Sequence, residues 1–392
     1  MRSIPAFLYL REIMRLSEIL DSIGHRKMFT PIANAIRHAN LSSVSTGWIG
    51  TRGKLESLAA NPDHGALVTE KLRDIYLENL RYSQKAVTIW MIKTDVANKV
   101  ASALANLVDQ ASPYLASFPK PLAEATLQKT TALCVPTAVA VDDGEHTLYI
   151  ISKRSKTEEE VMSTDVLKDA AKAAGYTEVI ARRRLSYQVF DSITVVPSTG
   201  RVELRIDQAK GLSDKEILGF RETIRKRFNE WIAHEIDVEE DVLGTPVNLF
   251  PALGPLYKGK GWTVTRIDHV NEGGYNNTNR GRNRQSDVRQ DMYHSTGETA
   301  VKHLQLWNVT ATFRSPGGAG SPVLILEGHT SMLSVPSPHM DLALFLDCAG
   351  AADYRLLMGT LLSCLEEAET AANDPKIDRQ QAAGNGAAIA SA

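Results

Sequence analysis

The stretch 185–236 constrains the fold of this chain more than any other. Apolar and charged residues alternate over 201–207, which is the period-two pattern of a strand with one buried face. An apolar run precedes this strand. Between the two lies a turn sequence in which Pro197 fixes one φ angle and Gly200 supplies a positive one. We predict an antiparallel hairpin in which Pro197 lies roughly opposite Gly200.

A helix is predicted directly after this hairpin, because its start carries two capping signals. Ser213 and Glu216 have the spacing of a capping box, and Leu212 and Ile217 occupy the positions of a hydrophobic staple. Apolar residues then recur every three or four positions in one stripe: Ile217, Phe220, Ile224, Phe228 and Trp231. We expect this stripe to cover the hairpin, which makes 187–234 a strand–strand–helix (ββα) unit.

A second ββα unit is predicted over 135–175. The sequence Asp-Asp-Gly-Glu at 142–145 is a strong hairpin signal. Thr157 is followed three residues later by Glu160, which is again the spacing of a capping box, and a helix is expected from there to Gly175. The two units are either a structural repeat or two independent uses of a common motif.

The segment 1–130 has helical periodicity and is predicted to be an all-helical domain. Its longest helix carries apolar residues from Leu72 to Trp90, and Thr94-Asp95 is expected to cap the next helix. Three prolines between 113 and 121 then interrupt the pattern and indicate a boundary. Such a domain docks a partner or self-associates, or is an ordinary helical domain with its own core.

The C-terminal half is predicted to contain an antiparallel meander and a final helix. The expected strands are 262–270, 303–313, 322–333 and 340–348, and the helix is 352–370. The fold class is therefore α+β: the helical domain 1–130 is followed by an α/β domain, 133–370, with two ββα units and a mainly antiparallel sheet. Residues 371–392 are expected to be a disordered tail.

Composition restricts the classes of function. The formal net charge of −2 gives no overall basic field for nucleic acid, so such binding requires a local patch. The three cysteines, Cys134, Cys348 and Cys364, are scattered and indicate a reducing compartment without a disulfide framework. No apolar run reaches the roughly 20 residues that span a bilayer. We expect a cytoplasmic protein without a membrane partner.

One catalytic hypothesis rests on the central hairpin. Metal-dependent nucleases of the restriction-endonuclease type place an Asp on one strand. The next strand carries a Glu or Gln, then any residue, then a Lys, and the acidic groups hold Mg²⁺. Here Asp191 lies on the first strand, and Gln208 and Lys210 end the second. The predicted register puts all three on one face of the hairpin. Asp191 would be the metal ligand; the alternative is that these polar residues simply end the hairpin.

Arginine clusters provide a second hypothesis, nucleic-acid binding. Three local concentrations of positive charge contain the candidate residues Arg182, Arg183, Arg184, Arg225, Arg227, Arg280, Arg282, Arg284 and Arg289. The last four lie in 271–299, an almost wholly polar segment that we interpret as a flexible loop, in which Tyr275 and Tyr293 are candidates for stacking on bases. The alternative is a set of solvated helix faces and a mobile loop.

Histidines are concentrated near the C-terminal end of the chain. Five fall within seventy residues of one another: His269, His294, His303, His329 and His339. None of these forms a recognised metal-binding spacing, although Asp268 and Glu327 are carboxylate neighbours. Histidines that end strands and have ordinary partners are the simpler interpretation.

These patterns favour a non-catalytic subunit of a multi-protein assembly. We expect it to bind a protein partner or a second copy of itself, and nucleic acid as a further ligand through the arginine clusters and the segment 271–299. The first alternative is the Mg²⁺-dependent nuclease described above, and the second is an oligomeric scaffold. No cofactor is expected, apart from Mg²⁺ under the nuclease hypothesis.

Overall fold

A computed structural model describes residues 14–26, 28–41, 44–163, 165, 178–208, 211–238, 241–271, 273–300 and 304–373. Within these ranges there are eleven α-helices: α1 (Leu16–Arg26), α2 (Phe29–His38), α3 (Trp48–Ala59), α4 (Gly65–Tyr82), α5 (Thr94–Ala103), α6 (Pro113–Ser117), α7 (Glu124–Lys129), α8 (Asp214–Ile236), α9 (Leu253–Lys258), α10 (Met292–Ala300) and α11 (Ala351–Ala372).

All ten strands of the described residues belong to one antiparallel sheet. The strands are β1 (Lys85–Met91), β2 (Val135–Asp142), β3 (Glu145–Met162), β4 (Val179–Val196), β5 (Arg201–Asp207), β6 (Thr263–Val270), β7 (Asn276–Arg280), β8 (Gln305–Thr312), β9 (Val323–Glu327) and β10 (Ala343–Leu346). Their order across the sheet is β2-β3-β4-β5-β1-β10-β9-β8-β6-β7. The predicted α+β class and the mainly antiparallel sheet are confirmed.

The ββα unit around the central hairpin is confirmed in detail. Val196 pairs with Arg201 around the predicted turn, and Ser192 pairs with Arg205, which is the register expected from placing Pro197 opposite Gly200. Helix α8 begins after Ser213, whose side chain and that of Glu216 form both hydrogen bonds of a capping box. The buried residues of α8 share a core with the hairpin, as the apolar stripe predicted.

Strand β1 is a departure from the prediction for the N-terminal segment. The predicted long helix ends at Tyr82, and the residues from Lys85 to Met91 form a strand in the middle of the sheet, between β5 and β10. Val87 and Ile89 are β-branched and Trp90 is aromatic, and the strand is buried on both faces as far as Trp90, so strand pairing outweighs the helical spacing that these residues also match. The helix expected after Thr94 is present as α5, although no side chain caps it.

In the second ββα unit the predicted start of the helix is wrong. The turn at 142–145 is present, but Thr157 and Glu160 do not cap a helix, because β3 continues as a strand to Met162. The residues from 157 to 162 pair with β4, which supplies long-range partners that the local capping signature does not reveal. The helix expected from there to Gly175 otherwise lies outside the described residues.

Strands β3 and β4 extend beyond the rest of the sheet. Strand β2 pairs with β3 only as far as Ile151, and β5 pairs with β4 only from Ser192 onward, whereas β3 and β4 stay paired to Met162 and Val179. Residues 152–162 and 179–191 therefore form a two-stranded projection, here called the ribbon. At about 3.4 Å per residue, the ribbon is roughly 35 Å long.

Helices cover both faces of the sheet. Neighbouring residues of a strand point to opposite faces, and in β1 Ala86 shares a core with α5 and α8, whereas Val87 shares one with α9 and α11. Helices α1 to α4 form a further core against Tyr149 and Phe190. By strand register, these two residues lie on the same face as Val87.

The C-terminal strands and the final helix follow the predicted order. Strands β6, β8, β9 and β10 lie within the expected ranges, and α11 is the predicted last helix. The segment 271–299, interpreted as a flexible loop, instead contains strand β7 and most of helix α10. Both elements are at the periphery, where a polar sequence pairs or coils without much burial. The expected tail is outside the described residues after 373.

Candidate functional site

The proposed nuclease residues are not gathered in an open site. Asp191 is fully buried, and its carboxylate accepts a hydrogen bond from Arg154 at 2.7 Å and another from the Asp207 backbone N–H at 2.8 Å. The side chain of Gln208 accepts from the Leu212 backbone N–H at 3.2 Å. Lys210 lies outside the described residues. Since both Asp191 oxygens are already engaged by protein groups, nothing in this geometry favours a metal at Asp191, and the nuclease remains a hypothesis.

Asp191 instead belongs to a cluster of five buried charges at the root of the ribbon. Asp207 accepts from the guanidinium of Arg26 at 3.0 and 3.1 Å, and its carboxylate lies 3.8 Å from the Lys85 Nζ. Arg154 also donates to the Asp207 backbone carbonyl at 3.0 Å. This group, here called the root cluster, joins β1, β3, β4, β5 and α1 through three cations and two carboxylates.

Burial shifts the pKa values of the root cluster. It lowers the pKa of Lys85 to about 8, with Asp207 opposing the shift. Burial alone would raise the pKa of Asp207, but Arg26 and Lys85 outweigh it and hold that pKa at about 2. For Asp191 burial prevails over Arg154, and the pKa of this carboxyl is raised. Buried charged side chains are stable only beside oppositely charged partners, which indicates a structural function for the root cluster.

Exposed arginines of the ribbon pair across its two strands. Arg182 donates to Glu159 at 2.7 Å, and Arg183 lies 3.4 Å from Glu158. Arg184 is exposed and has no ion pair among the described residues. The predicted arginine cluster is therefore largely neutralised by the acidic residues that had been interpreted as a helix start.

The arginines of α8 also have protein partners. Arg225 donates to Glu222 at 2.7 Å and to the Leu243 carbonyl at 2.8 Å, and it lies 3.3 Å from Asp241. Arg227 donates to the backbone carbonyl of Leu133. Both side chains therefore attach neighbouring segments to the helix.

The arginines of 271–299 divide into two groups. Arg284 forms an ion pair with Asp347, and Arg289 donates to Asp287 and to the carbonyls of Tyr257 and Trp262, at 2.9 and 2.8 Å for the two carbonyls. These two side chains connect the segment 271–299 to other parts of the fold. Arg280 and Arg282 are exposed and have no ion pair in the part of the chain that the structure describes.

The structure does not bring the predicted arginine clusters together. The ribbon arginines lie on β4 and Arg280 on β7, and six strands separate β4 from β7 in the sheet. At about 4.8 Å per strand, the two groups are on the order of 30 Å apart. A single nucleic-acid surface that includes all nine arginines is therefore inconsistent with this arrangement.

Apolar residues are exposed near the far end of the ribbon. Val161 and Ile180 are cross-strand partners and are 68% and 52% exposed, and Met162 beside them is 39% exposed. Two-stranded ribbons have little capacity to bury such side chains themselves. This apolar group, here called the ribbon tip, is bordered on the root side by the Glu159–Arg182 ion pair.

A cleft of about 630 Å³ lies beside the ribbon near its root. It is lined by α1, by the first residues of α3, by α7, and by the ribbon, with charged groups of both signs that include Asp21, Arg52 and Lys156. The side of the ribbon that faces α1, α3 and α7 therefore offers a concave surface as well as the tip.

At the opposite end of the sheet, two histidines meet over a second pocket. His269 on β6 and His294 on α10 are 6% and 5% exposed, and their ring centroids are 6.1 Å apart. The hydroxyl of Tyr257 lies 2.8 Å from His294 Nε2 and donates to Glu298 at 2.9 Å. The Tyr257 hydroxyl therefore lies between the ring of His294 and the carboxylate of Glu298.

The pocket beside these histidines has a volume of about 710 Å³. Its walls are amides, hydroxyls and a few apolar groups: His269, Asn271, Asn277, Thr278, Asn279, Met292, Tyr293, His294, Thr296, Gly297, Glu298 and Leu304. We call it the histidine pocket. The Nδ1 atom of His269 is buried and has no hydrogen-bond partner within the described residues. Burial lowers the pKa of His269, and the neighbouring His294 adds to this effect.

The described residues of the histidine pocket do not form a set of metal ligands. No group of three metal-ligating side chains occurs in the described residues, and Asp268, the sequence neighbour of His269, forms an ion pair with Arg266 at 2.7 Å.

The hydrogen bond between Tyr257 and Glu298 joins residues that are 41 positions apart, so sequence spacing gave no indication of it. The single Asp inside the apolar run of β4 was a sequence signal for the root cluster. No feature of the sequence indicated that Arg26 and Lys85 belong to it.

Two further observations bear on the class of protein. None of the helices in the described ranges is both long enough and apolar enough to cross a membrane. No protein-family model matches the chain, and no curated protein is significantly similar to it.

Proposed function

We propose that this chain is a binding subunit whose ribbon attaches to a partner protein in an assembly. The observation that supports this proposal is the ribbon tip: Val161 and Ile180 are exposed at the far end of the ribbon, which is buried at its root and half-buried or exposed over 155–162 and 179–187. Contiguous apolar side chains on a projecting element are typical of protein–protein contacts. The partner surface that fits is an apolar pocket with polar groups at its rim.

Two features of the ribbon favour a specific contact over non-specific hydrophobic association. The ion pairs Glu158–Arg183 and Glu159–Arg182 border the tip on the root side, in the way that a polar rim surrounds the apolar centre of an interface. The root cluster and the packing of Phe190 fix the ribbon against the body of the protein. A partner therefore meets an arm of defined direction.

The proposal is tested with the double variant Val161→Ser/Ile180→Ser in the full chain. Purified wild type and variant are compared by analytical ultracentrifugation for self-association, and by affinity capture with quantitative mass spectrometry for other partners. A photo-crosslinking residue at position 160 is included in the capture experiment, since Glu160 is exposed beside the tip. We expect one partner, or a second copy, to crosslink at position 160 and to be lost in the double variant.

Val335→Ser is the matched control, because Val335 is 48% exposed and lies between β9 and β10, on the other side of β1 from the ribbon. It should retain the partner or the oligomer that the double variant loses. Equal binding by all three proteins would contradict the proposal, as would a wild type that is monomeric and crosslinks to nothing. Circular dichroism of each variant establishes that the fold is unchanged.

A further inference from the structure

We propose that the histidine pocket binds a nucleobase, presented either by a free nucleoside or by a single-stranded nucleic acid. This site is at the other end of the sheet from the ribbon, so it stands independently of the partner-binding proposal.

The first argument is the charge of the pocket. The described residues of its lining include no Lys or Arg, and Glu298 is the one carboxylate among them. A phosphate or carboxylate ligand would therefore be desolvated without a cation to compensate it. The ligand that fits is uncharged in the part that enters the pocket, as a base is.

The second argument is the arrangement of amides. Asn277 and Asn279 lie on the same face of β7, and Asn277 pairs directly with His269 of β6. The amide of Asn279 offers a donor and an acceptor side by side, which matches the edge of a base in a bidentate contact. Asn277 donates to the Tyr275 carbonyl at 2.9 Å and Asn271 accepts from the Tyr275 N–H at 3.0 Å, so these two amides contribute their remaining donors and acceptors to the lining.

The third argument is an unpartnered ring nitrogen on one of the two histidines. The buried His269 Nδ1 has no hydrogen-bond partner among the described residues, while the ring of His294 is held through its Nε2 by the Tyr257 hydroxyl. A polar atom so buried is normally satisfied. The edge of a base carries both N–H groups and acceptor atoms, so it can partner an imidazole nitrogen in either tautomer.

The surroundings of the pocket fit the remainder of a nucleotide chain. Tyr293 lines the pocket and is 86% exposed, which leaves its ring free to stack on a base. Arg280 and Arg282 follow Asn279 closely in the chain and are exposed. They are placed to contact phosphates outside the pocket while the base is held inside. Tyr275, the other predicted stacking residue, does not line the pocket.

The test is calorimetric titration of the full chain with adenosine, guanosine, cytidine and uridine, and anisotropy titration with labelled ten-nucleotide single strands and a matched duplex. We expect at least one nucleoside to bind, and the duplex to bind at least tenfold more weakly than the single strand of that base. Asn279→Ala and Tyr293→Ala should each weaken binding about tenfold.

Asn276→Ala is the matched control, because this neighbouring asparagine points away from the pocket and accepts from Trp307 Nε1 at 3.2 Å. Its affinity should stay within twofold of wild type. Nucleoside binding that strands do not improve would support the pocket and identify a free nucleoside as its source. The proposal is overturned if no nucleoside or strand binds, or if binding survives both pocket substitutions, or if Asn276→Ala weakens it as much as Asn279→Ala.

Discussion

At the scale of single residues, the root cluster is the most consequential feature. Asp207 is fully enclosed by protein, and it is the shared counter-charge for Arg26 and Lys85. It also accepts from the Phe190 backbone N–H at 3.0 Å, in place of a ladder bond. Loss of this one carboxylate would leave two buried cations without an anion.

We therefore predict that Asp207→Asn lowers the free energy of unfolding at pH 7 by about 3–5 kcal/mol, as measured by urea denaturation. Because the folded protein holds the pKa of Asp207 at about 2, below its ordinary value of 3.8, the contribution is fully present above about pH 4. It is lost as the pH falls toward 2. Asp63→Asn, at an exposed turn, should change the stability by less than about 0.5 kcal/mol. Similar effects for the two variants would argue against a structural function for the cluster.

Residue-scale prediction from the sequence succeeded where the partners are local. The capping box of Ser213 and Glu216 is present because both partners lie within one turn of helix. The catalytic hypothesis for Asp191 placed the residue on its strand and in register, but it did not anticipate Arg154, which is 37 positions away and occupies the carboxylate. Local spacing does not reveal which long-range neighbour a buried charge has.

At the scale of elements, the two hairpins at 142–145 and 197–200 use glycine for different reasons. Gly144 has a φ of +76° and no atoms near the position of a Cβ, so it serves the turn alone. Gly200 has a φ of +72°, and a Cβ there would overlap the backbone carbonyl oxygen of Ile92. Gly200 thus also permits close contact between the hairpin and the end of β1, where its carbonyl accepts from the Ile92 N–H at 2.9 Å.

We predict that Gly144→Ala costs about 1–2 kcal/mol of stability, the penalty of a left-handed backbone. Gly200→Ala should cost at least about 1 kcal/mol more, since overpacking adds to that penalty. Chemical denaturation of both variants gives the comparison directly. Equal losses would mean that the contact with Ile92 is relieved without cost.

Prediction of whole elements failed where two structures fit one pattern. The residues from Thr157 to Glu160 have the spacing of a capping box. In the ribbon they are part of a strand, and Glu159 forms an ion pair with Arg182. The apolar residues of β1 have helical spacing too, and their burial between two strands decides against the helix. In both cases the deciding partner lies far away in the sequence.

At the scale of the whole molecule, β1 connects the two halves of the sheet. It pairs with β5 over Lys85 to Met91 and with β10 over Lys85 to Val87. Strands β2 to β5 lie on one side of it, and β6 to β10 lie on the other. The division into a domain 1–130 and a domain 133–370 stays a prediction, and this strand provides a way to test it.

We predict that a fragment of residues 133–373 does not fold cooperatively, because it lacks the strand that joins the two halves. The measurement is amide dispersion in a two-dimensional NMR spectrum, together with the sharpness of urea unfolding. Adding the fragment 14–132 should restore dispersed signals if β1 is the missing part. A fragment 133–373 that folds alone, with a sharp transition, would instead support two independent domains.

The anchorage of the ribbon also has a mechanical meaning. A hinged arm samples many directions, and a partner that captures it must suppress that freedom at the moment of association. Here Arg154 is hydrogen-bonded to Asp191, and its guanidinium lies 3.9 Å from the centre of the Phe220 ring on α8, so the ribbon is held rigidly at its root. The cost of immobilising it is met when the chain folds. A force applied at the far end would accordingly be transmitted to the middle of the sheet rather than dissipated in a flexible joint.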